Sequence, residues 1–502
     1  MAERGNGRKG RRPRRRPQRL SARRIALAST VVLIVGAAAA FFLVSSDSPV
    51  RYSSIEDHVK YGSTGSERTI GIPYAVFRAL PRLCAEYMPG PSDQGYAPLG
   101  FIYERGRDLP VGFSRRSYKG SDLVGLNCGA CHVGVIQDAE DREPRVYIGM
   151  PANTADIGAL VRFLSQCATD ESFTPERVIQ AAEAEGLSLG LLDVLRLRYV
   201  DVFRARETLL MLRHRLEYTD ENPAFGPGRI DTVTSTKAMF DLDLGEPYAR
   251  PVGTVDFAAV WLQGKKAGMN LYWDGSNDSM QERHLLGAVH TGAIGTADMD
   301  SVMRIRNLFE TEEPPAYPYG FQESLARRGA AVFDRVCSDC HGQSGREFSG
   351  RRVGEVTPLS SVRTDPGRSQ SYTDEVAAKQ RSLSPDGVVN LRRFKRTEGY
   401  ANVPLDGIWL RAPYLHNGSV PSLQDLLEPA RRRPKVFYRG DWMYDPSRVG
   451  FVYDVPERDG KKFFAYYTGL PGNSNRGHEG QRYGTELPRP DKEALIEYLK
   501  QF

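Results

Sequence analysis

The chain has 502 residues, of which 40% are apolar, and its 68 lysines and arginines against 62 acidic residues give a formal net charge of +6. This length and composition fit a globular protein with two domains and large cores. Residues 1–24 contain eleven basic residues and one Glu, a net +10, so the remaining chain sums to −4. The positive charge therefore belongs to the N-terminal tail, and no nucleic-acid partner is expected.

Residues 25–44 follow this tail as a run of twenty uncharged, mostly apolar residues. In a helix such a run is about 30 Å long, enough to cross a bilayer, and the basic residues before it favour a cytoplasmic tail. A cleaved signal peptide is the alternative, but its apolar region is usually shorter and ends in a small-residue site. We therefore expect a membrane anchor over 25–44, with residues 1–24 in the cytoplasm and residues 45–502 in the periplasm or another extracytoplasmic space.

A pattern of two cysteines and a histidine, C-x-x-C-H, occurs twice in the chain. Two thiols one helical turn apart can bond to the two vinyl groups of a haem, and the next imidazole can ligate its iron. Structural zinc and dithiol redox chemistry are the alternatives, but neither needs a histidine directly after both pairs. The spacing predicts two covalently bound haem c groups. Cys128 and Cys131 would attach the first haem and His132 would ligate its iron; Cys337 and Cys340 would attach the second, with His341 as iron ligand.

Two further cysteines, Cys84 and Cys167, lie outside these motifs. Covalent haem attachment takes place outside the cytoplasm, where conditions permit disulfides. A disulfide between the two cysteines and a pair of separate buried thiols therefore both remain open.

The segment between the motifs begins helical and then becomes rich in loops. From Thr154 to about Leu216, apolar residues recur at three- and four-residue spacing, whereas residues 220–300 contain few periodic stretches. Residues 312–319 are rich in proline and form the best domain boundary. We expect an N-terminal haem c domain with a large insertion over 45–318, and a C-terminal cytochrome c domain over 319–502.

The C-terminal domain is predicted to begin and end with amphipathic helices, over residues 322–336 and 491–502. A first and a last helix that cross beside the haem are the arrangement of class I cytochromes c, and Gly329 and Tyr498 resemble their crossing residues. The predicted fold is therefore mainly α. It consists of two class I cytochrome c-like haem domains with long loop-rich insertions, preceded by one transmembrane helix.

Five stretches, in order, carry a resemblance over most of residues 70–502. Together they resemble the di-haem c-type cytochromes related to bacterial cytochrome c peroxidases, and most of all the branch that includes the di-haem rubber oxygenases. Haem number and fold are shared by different chemistries in such groups, so the reaction is not fixed by the resemblance. The stretches are LNCGACHVG (126–134), LYWDGSNDSMQER (271–283), LDGIWLRAPYLHNGSVPSLQDLL (405–427), PGNSNRGHEGQRYGTEL (471–487) and the closing DKEALIEYLK.

The resemblance implies two unequal haems. The haem on His132 would be reactive, with an open or weakly occupied distal side, and the haem on His341 would be six-coordinate and pass electrons. Trp273 would lie in the reactive pocket, although a core tryptophan with a satisfied indole N–H is an equal alternative. Glu282 would shuttle protons in a peroxidase-like site, with a surface charge or local ion pair as the alternative.

The distal ligand of the second haem has three candidates. The resemblance favours His478, in a Gly-rich loop just before the final helix. His416 comes second, with a structural role as its alternative, and Met443 comes third; a thioether ligand would raise the reduction potential.

The sequence predicts an exported, membrane-anchored di-haem cytochrome with oxidoreductase activity. Its C-terminal haem would exchange electrons with a donor or acceptor protein or a quinone-linked chain, while its N-terminal haem would react with peroxide or oxygen. Calcium at the domain interface is left open. The alternative is a non-enzymatic electron-transfer cytochrome c with both irons six-coordinate.

Overall fold

The computed structural model describes Met1, Thr30 and residues 46–138, 142–240, 251–382 and 391–502. Helices account for 42% of these residues and strands for 13%. The prediction of a mainly α chain built from two class I cytochrome c domains is therefore wrong, and a cytochrome-like arrangement is supported only in the C-terminal part. The physical reason is the high glycine and proline content between the motifs, since these residues end helices and favour short strands and turns.

The predicted transmembrane helix is also contradicted. Among the described residues, no helix is long and apolar enough to cross a membrane. The longest of them has 15 residues, about 22 Å of helix against about 30 Å of hydrocarbon. The predicted span 25–44 and the tail 1–24 lie outside the described residues except for Met1 and Thr30. The same finding contradicts the predicted membrane-anchored localisation.

A four-stranded antiparallel sheet leads to the first cysteine–histidine motif. Its spatial order is β1-β3-β4-β2, and β3 and β4 form a hairpin with Phe113 opposite Leu126. Because β4 ends at Leu126, it positions the motif two residues later. The strands are β1 (Asp47–Pro49), β2 (Ile72–Pro73), β3 (Phe113–Tyr118) and β4 (Ser121–Leu126).

Helices surround this sheet and form the largest apolar core, in which Phe77, Leu80 and Phe163 are buried. The helical pattern predicted after Thr154 is confirmed, and the side chain of Thr174 caps the helix that begins at Pro175. The helices are α1 (Ile55–Tyr61), α2 (Glu67–Ile70), α3 (Tyr74–Leu83), α4 (Gly129–His132), α5 (Ile157–Thr169), α6 (Pro175–Ala184), α7 (Leu191–Arg196) and α8 (Val202–Leu216).

Cys84 and Cys167 form a disulfide, with their Cα atoms 5.6 Å apart. The bond joins the end of α3 to α5, and both cysteines are almost completely buried in the N-terminal core. The question that the sequence left open is therefore answered in favour of the pair.

Two further antiparallel strand pairs and three helices complete the part of the chain before α12. Directly after the first motif, β5 (Val133–Ile136) pairs with β6 (Arg145–Ile148); after α8, β7 (Arg229–Ile230) pairs with β8 (Val255–Asp256). The helices are α9 (Thr232–Met239), α10 (Met280–His290) and α11 (Met299–Thr311).

The C-terminal part is organised by the crossing of α12 (Glu323–Val336) and α18 (Arg489–Leu499). Gly329 lies at the crossing, where a Cβ atom would come within 1.9 Å of the Ala494 carbonyl oxygen. Phe333 packs against Tyr498, with ring centres 5.4 Å apart. Only glycine permits the two backbones to approach so closely, so the predicted first and last helices of a cytochrome c are present here.

Shorter helices and strand pairs lie between α12 and α18 in the sequence. The helices are α13 (Ser338–His341), α14 (Leu359–Val362), α15 (Gly367–Ser371), α16 (Asp374–Ser382) and α17 (Leu423–Leu426). The antiparallel strand pairs are β9 (Val356–Pro358) with β10 (Gly399–Ala401), β11 (Val436–Arg439) with β16 (Phe464–Tyr467), β12 (Tyr444–Asp445) with β13 (Gly450–Phe451), and β14 (Glu457–Arg458) with β15 (Lys461–Lys462).

Candidate haem site

The second cysteine–histidine motif begins where α12 ends. The Cys337 N–H donates to the Phe333 carbonyl at 2.7 Å, and the chain then continues as the single turn α13. Residues three apart on a helical turn lie on the same face, which places Cys337 and Cys340 side by side. Both cysteines and His341 line one cavity. The structure therefore brings the three residues together as covalent attachment of a haem requires.

This cavity has a volume of about 840 Å³, within the range of about 300–1,000 Å³ that cofactor pockets have. Much of its wall is apolar and comes from α12, α17, α18 and the segment between Leu405 and Tyr414. A flat apolar ring system fits such a wall. The apolar lining includes Phe333, Val336, Leu405, Ile408, Leu423, Leu427, Leu495 and Leu499.

The two motif histidines make the same hydrogen bond. Nδ1 of His341 lies 2.7 Å from the Val403 carbonyl oxygen, and Nδ1 of His132 lies 2.9 Å from that of Ala258. A carbonyl oxygen only accepts, so each Nδ1 carries the proton and each Nε2 presents a lone pair. Burial lowers the pKa of both imidazoles, to about 4 for His132, and keeps them neutral. A neutral imidazole held in this way is the usual form of a metal-ligating histidine.

His478 lies beside His341, with the ring centres 6.2 Å apart. Two imidazoles that share one metal atom through bonds of about 2 Å have ring centres about 6 Å apart, so this spacing fits a shared iron. Nδ1 of His478 is buried without a hydrogen-bond partner. Burial, with smaller effects of His341 and Arg433, lowers the pKa of this imidazole to about 3, so it is neutral.

The loop that carries His478 is held tightly in place. Gly477 has φ +77°, and a Cβ atom there would come within 2.3 Å of the Arg363 carbonyl carbon. The His478 N–H donates to the Val362 carbonyl at 2.8 Å. The buried guanidinium of Arg433 donates to the carbonyls of Gly477, at 2.9 Å, and His478, at 3.2 Å. These contacts fix the imidazole without using its ring nitrogens.

His416 lines the same cavity but makes other contacts. Its ring stacks on that of Tyr400, with centres 4.0 Å apart, and its Nε2 is buried without a partner. Burial, helped by Arg368, lowers its pKa to about 3. Met443 is absent from the cavity lining among the described residues. Of the three predicted ligands, His478 is therefore the one whose ring the structure places at a ligand's distance from that of His341.

The first motif borders this cavity indirectly. It follows β4, and Cys128, Cys131 and His132 do not appear among the described residues that line the cavity. Residues 257–259 do line it, and they include the carbonyl that accepts the His132 hydrogen bond. The segment 257–259 therefore separates the first motif from the cavity beside the second.

Trp273 lines the cavity, with its indole N–H already satisfied. Nε1 donates to the Asp256 carbonyl at 2.8 Å. The Asp256 carboxylate in turn pairs with the buried guanidinium of Arg439 at 2.6 Å. Trp273 thus presents an aromatic surface to the cavity, while its hydrogen-bond donor is used for structure.

Glu282 lies apart from the cavity, since it is not one of the described lining residues. Its side chain is 7% exposed and accepts hydrogen bonds from the Asn277 side-chain amide, at 2.9 Å, and from the backbone of Arg392 and Arg393, at 3.1–3.2 Å. It joins α10 to the segment that begins at Leu391. This arrangement matches neither a proton shuttle into the cavity nor a surface charge.

Sequence reasoning did not single out the cationic part of the cavity wall. Lys266 and Arg411 both pair with the fully buried carboxylate of Asp406, at 2.9 and 2.7 Å. Arg283 lines the same cavity and donates to the neutral side chain of Gln263 at 2.5 Å. Three cations against one carboxylate leave two positive charges, which suits the two propionate carboxylates of a haem. The isolated positions of these residues in the sequence gave no signal.

His284 is a further residue to which the sequence analysis gave no role. Its Nε2 is buried without a partner, and its ring stacks on Phe309, which belongs to the apolar cluster that Cys128 contacts. Burial lowers the pKa of His284 to about 3, with further contributions from Arg283 and His132. A neutral imidazole thus lies in the neighbourhood of the first motif.

Comparison with known proteins agrees with this geometry. A family profile described as RoxA-like, cytochrome c-like matches residues 399–438, which contain the carbonyl of Val403 and the whole segment 405–427. The C-terminal part of the chain is therefore similar to RoxA-like cytochromes c over residues 399–438, and a cytochrome c-like domain implies covalently bound haem c. The match agrees with the resemblance to the rubber-oxygenase branch.

Two relatives come from Sinorhizobium fredii (strain NBRC 101917 / NGR234). The chain is similar to "Uncharacterized protein y4iJ", with 26% identity over an alignment that covers 86% of this chain and 89% of the relative. It is also similar to "Uncharacterized protein y4iM", with 31% identity over 41% of this chain and 52% of the relative. Similarity to the first relative thus extends well beyond the cytochrome c-like segment.

Proposed function

We propose that the chain is a di-haem c-type cytochrome with oxidoreductase activity, related to the di-haem peroxidase superfamily. Each haem would be attached through one motif, by Cys128, Cys131 and His132 in the first case and Cys337, Cys340 and His341 in the second. The observation that carries the proposal is the matching hydrogen bond of the two motif histidines. Because both Nδ1 atoms are held by carbonyl groups, both Nε2 atoms are prepared to ligate a metal.

The site beside His341 is proposed to transfer electrons. His341 and His478 supply two neutral imidazoles, and their fixed positions suit an iron that keeps both ligands through oxidation and reduction. A haem bound there supplies a one-electron redox centre. The chain's own contribution is to hold the His341 ring through the Val403 carbonyl and the His478 backbone through the Val362 carbonyl. It also excludes water with an apolar wall and offers Lys266, Arg283 and Arg411 to carboxylates.

The site beside His132 is proposed to react with peroxide or oxygen. Such a reaction needs an open iron position, and His478 and His416, two of the three candidate distal ligands, line the cavity beside His341 instead. Trp273 is not assigned to this site, because it lines the cavity beside His341. Glu282 is not assigned a proton-transfer role, because its oxygens already accept hydrogen bonds from backbone amides.

An electron donor or acceptor protein, or a quinone-linked chain, is proposed as the partner of the second site.

Calcium has no assigned position here, because the described ranges contain no group of three or more His, Cys, Asp or Glu arranged to hold a metal.

Intact-mass measurement tests the haem number. The full chain is expected to carry the mass of two covalently bound haems, and the paired substitution C128A/C131A or C337A/C340A is expected to remove one haem each. C84A/C167A is the matched control, because these two cysteines lie outside the motifs. A mass equal to the bare polypeptide, or loss of haem in the control alone, would contradict the proposal.

A spectrum of the oxidised protein separates the enzyme from the alternative, a non-enzymatic electron carrier. One high-spin and one low-spin haem, with binding of peroxide or oxygen at the high-spin centre, supports the enzyme. Two low-spin haems that bind neither molecule support the carrier.

A further inference from the structure

The surface of α7 and α8 carries a concentration of exposed apolar side chains. Leu191 and Leu192 are 77% and 74% exposed, and Tyr199 and Phe203 are 67% and 55% exposed. Isolated exposed apolar residues are normal, but a continuous group of this kind marks a surface that another element covers. We call this group the apolar stripe; it consists of Leu191, Leu192, Leu195, Tyr199, Val200 and Phe203.

The apolar stripe is one face of a helix whose other face belongs to the core. Leu197, Val202 and Leu209 are buried and pack in the largest apolar cluster. A π-helical turn, Leu197–Asp201, joins α7 to α8 and adds a residue to the turn. Leu191, Leu195, Tyr199 and Phe203 are spaced by four residues, so the exposed side chains follow one line along the surface. The stripe is thus about 18 Å long.

The described N-terminal segment begins directly beside this stripe. Ser46 accepts a hydrogen bond from the Lys119 N–H, at 2.8 Å on its carbonyl, and from the Gly120 N–H, at 2.7 Å on its hydroxyl. The next residue, Ser121, donates to the Asp201 carboxylate at 2.8 Å and accepts from Arg196. Arg196 precedes the π-helical turn, and Asp201 is its last residue. The turn 119–121 therefore links Ser46 to Arg196 and Asp201, which neighbour the stripe residues Leu195 and Val200 in the chain.

The length and character of the chain before Ser46 identify an occupant. The apolar run 25–44 ends two residues before Ser46, and two residues of extended chain span at most about 7 Å. This run must therefore leave the folded part next to the stripe. All twenty residues of this run are uncharged, and most are apolar. The run therefore supplies apolar side chains that can pack against the exposed stripe.

We propose that residues 25–44 of the same chain cover the apolar stripe. The short connection through Ser45 and Ser46 gives this segment a high effective concentration at the stripe, which a separate molecule would have to exceed. A second copy of the chain and a lipid surface are the competing occupants, and the test distinguishes them.

Photo-crosslinking in cells that express the full chain tests the proposal. A photoreactive phenylalanine derivative is placed at Tyr199, and the matched control carries it at Tyr467, a 50% exposed tyrosine on β16 of the C-terminal part. After irradiation, the protein is separated on a denaturing gel and its peptides are mapped by mass spectrometry. The expected result is a crosslink from position 199 to a peptide within 25–44 at monomer mass, and none from position 467.

A double substitution in the stripe tests whether the crosslink depends on the stripe's apolar side chains. Leu192→Asp and Leu195→Asp together, at exposed positions that leave the core intact, are expected to reduce the crosslink from position 199 at least fivefold. A crosslinked species of dimer mass, a lipid adduct, no crosslink at all, or a crosslink that the two substitutions do not change would overturn the proposal.

Discussion

The imidazole rings of His341 and His478 lie 6.2 Å apart, although 137 positions separate the two residues in the chain. His341 ends the short helix of the second motif, and His478 sits in a loop before the last helix. Each backbone is fixed independently of the ring, His341 by its helical turn and His478 by Val362 and Arg433. The pair is thus positioned before any metal binds, which reduces the cost of ordering two ligands.

The substitution His478→Met tests the pairing. It is expected to keep a sixth ligand but to raise the reduction potential of one haem by on the order of 100 mV or more, because a thioether stabilises the reduced iron. Potentiometric titration followed by visible spectroscopy measures the change. His416→Met is the matched control, since His416 is also buried with an unpartnered nitrogen. A potential that shifts in the control and not in the His478 variant would reverse the ligand assignment.

Arg433 is predicted to position His478 without contacting the cavity. Its guanidinium donates to carbonyls on both sides of the loop, including Asn475 at 2.6 Å and Gly477 at 2.9 Å. Arg433→Lys keeps the charge but cannot satisfy these acceptors together, and we expect a loss of about 1–3 kcal/mol in the free energy of unfolding. A fraction of the low-spin haem should also become high-spin. A purely structural role would lower stability and leave the spin state unchanged.

The Cys84–Cys167 disulfide is predicted to stabilise the N-terminal core. It closes a loop with a sequence separation of 83 residues, and its removal in C84A/C167A is expected to cost about 2–5 kcal/mol of unfolding free energy. Urea unfolding under oxidising and reducing conditions measures this loss. The substituted protein should lose its sensitivity to reductant, whereas a wild-type protein equally stable with and without reductant would contradict the prediction.

Acidification is predicted to weaken the fold through its buried histidines. Burial, with a smaller effect of Arg368, lowers the pKa of His290 to about 4, while Thr236 lies 2.8 Å from its Nε2. Below pH 6.5 the unfolded chain takes up a proton that the folded chain does not. The stabilisation by neutral His290 is therefore present above pH 6.5 and is lost as the pH falls towards 4. Between pH 7 and pH 5, this group alone contributes a loss of at most about 2 kcal/mol.

Urea unfolding at pH 7 and pH 5 checks this effect, with His290→Gln as the partner variant. Glutamine retains a hydrogen-bonding group for Thr236 but does not titrate in this range. The variant should lose less stability on acidification than the wild type. Equal losses in the two proteins would exclude His290 as a source of the pH dependence.

The sequence alone determined the features of this protein that depend only on residues close together in the chain. The C-x-x-C-H spacing brings two thiols and an imidazole together within one helical turn, whatever the rest of the fold does. The apolar periodicity likewise located the first and last helices of the C-terminal part, and glycine at position 329 fits the close crossing that the structure contains. Such features depend on spacings of three and four residues, which the sequence displays directly.

Tertiary structure alone decided the features that join distant parts of the chain. Only folding brings His478 beside His341, closes the Cys84–Cys167 disulfide, and turns Glu282 towards backbone amides more than 100 positions away. The short strands between the motifs and the excess of positive charge around Asp406 also arise from such long-range contacts. The physical reason is that side-chain chemistry depends on burial and on partners in space, and neither is encoded in local spacing.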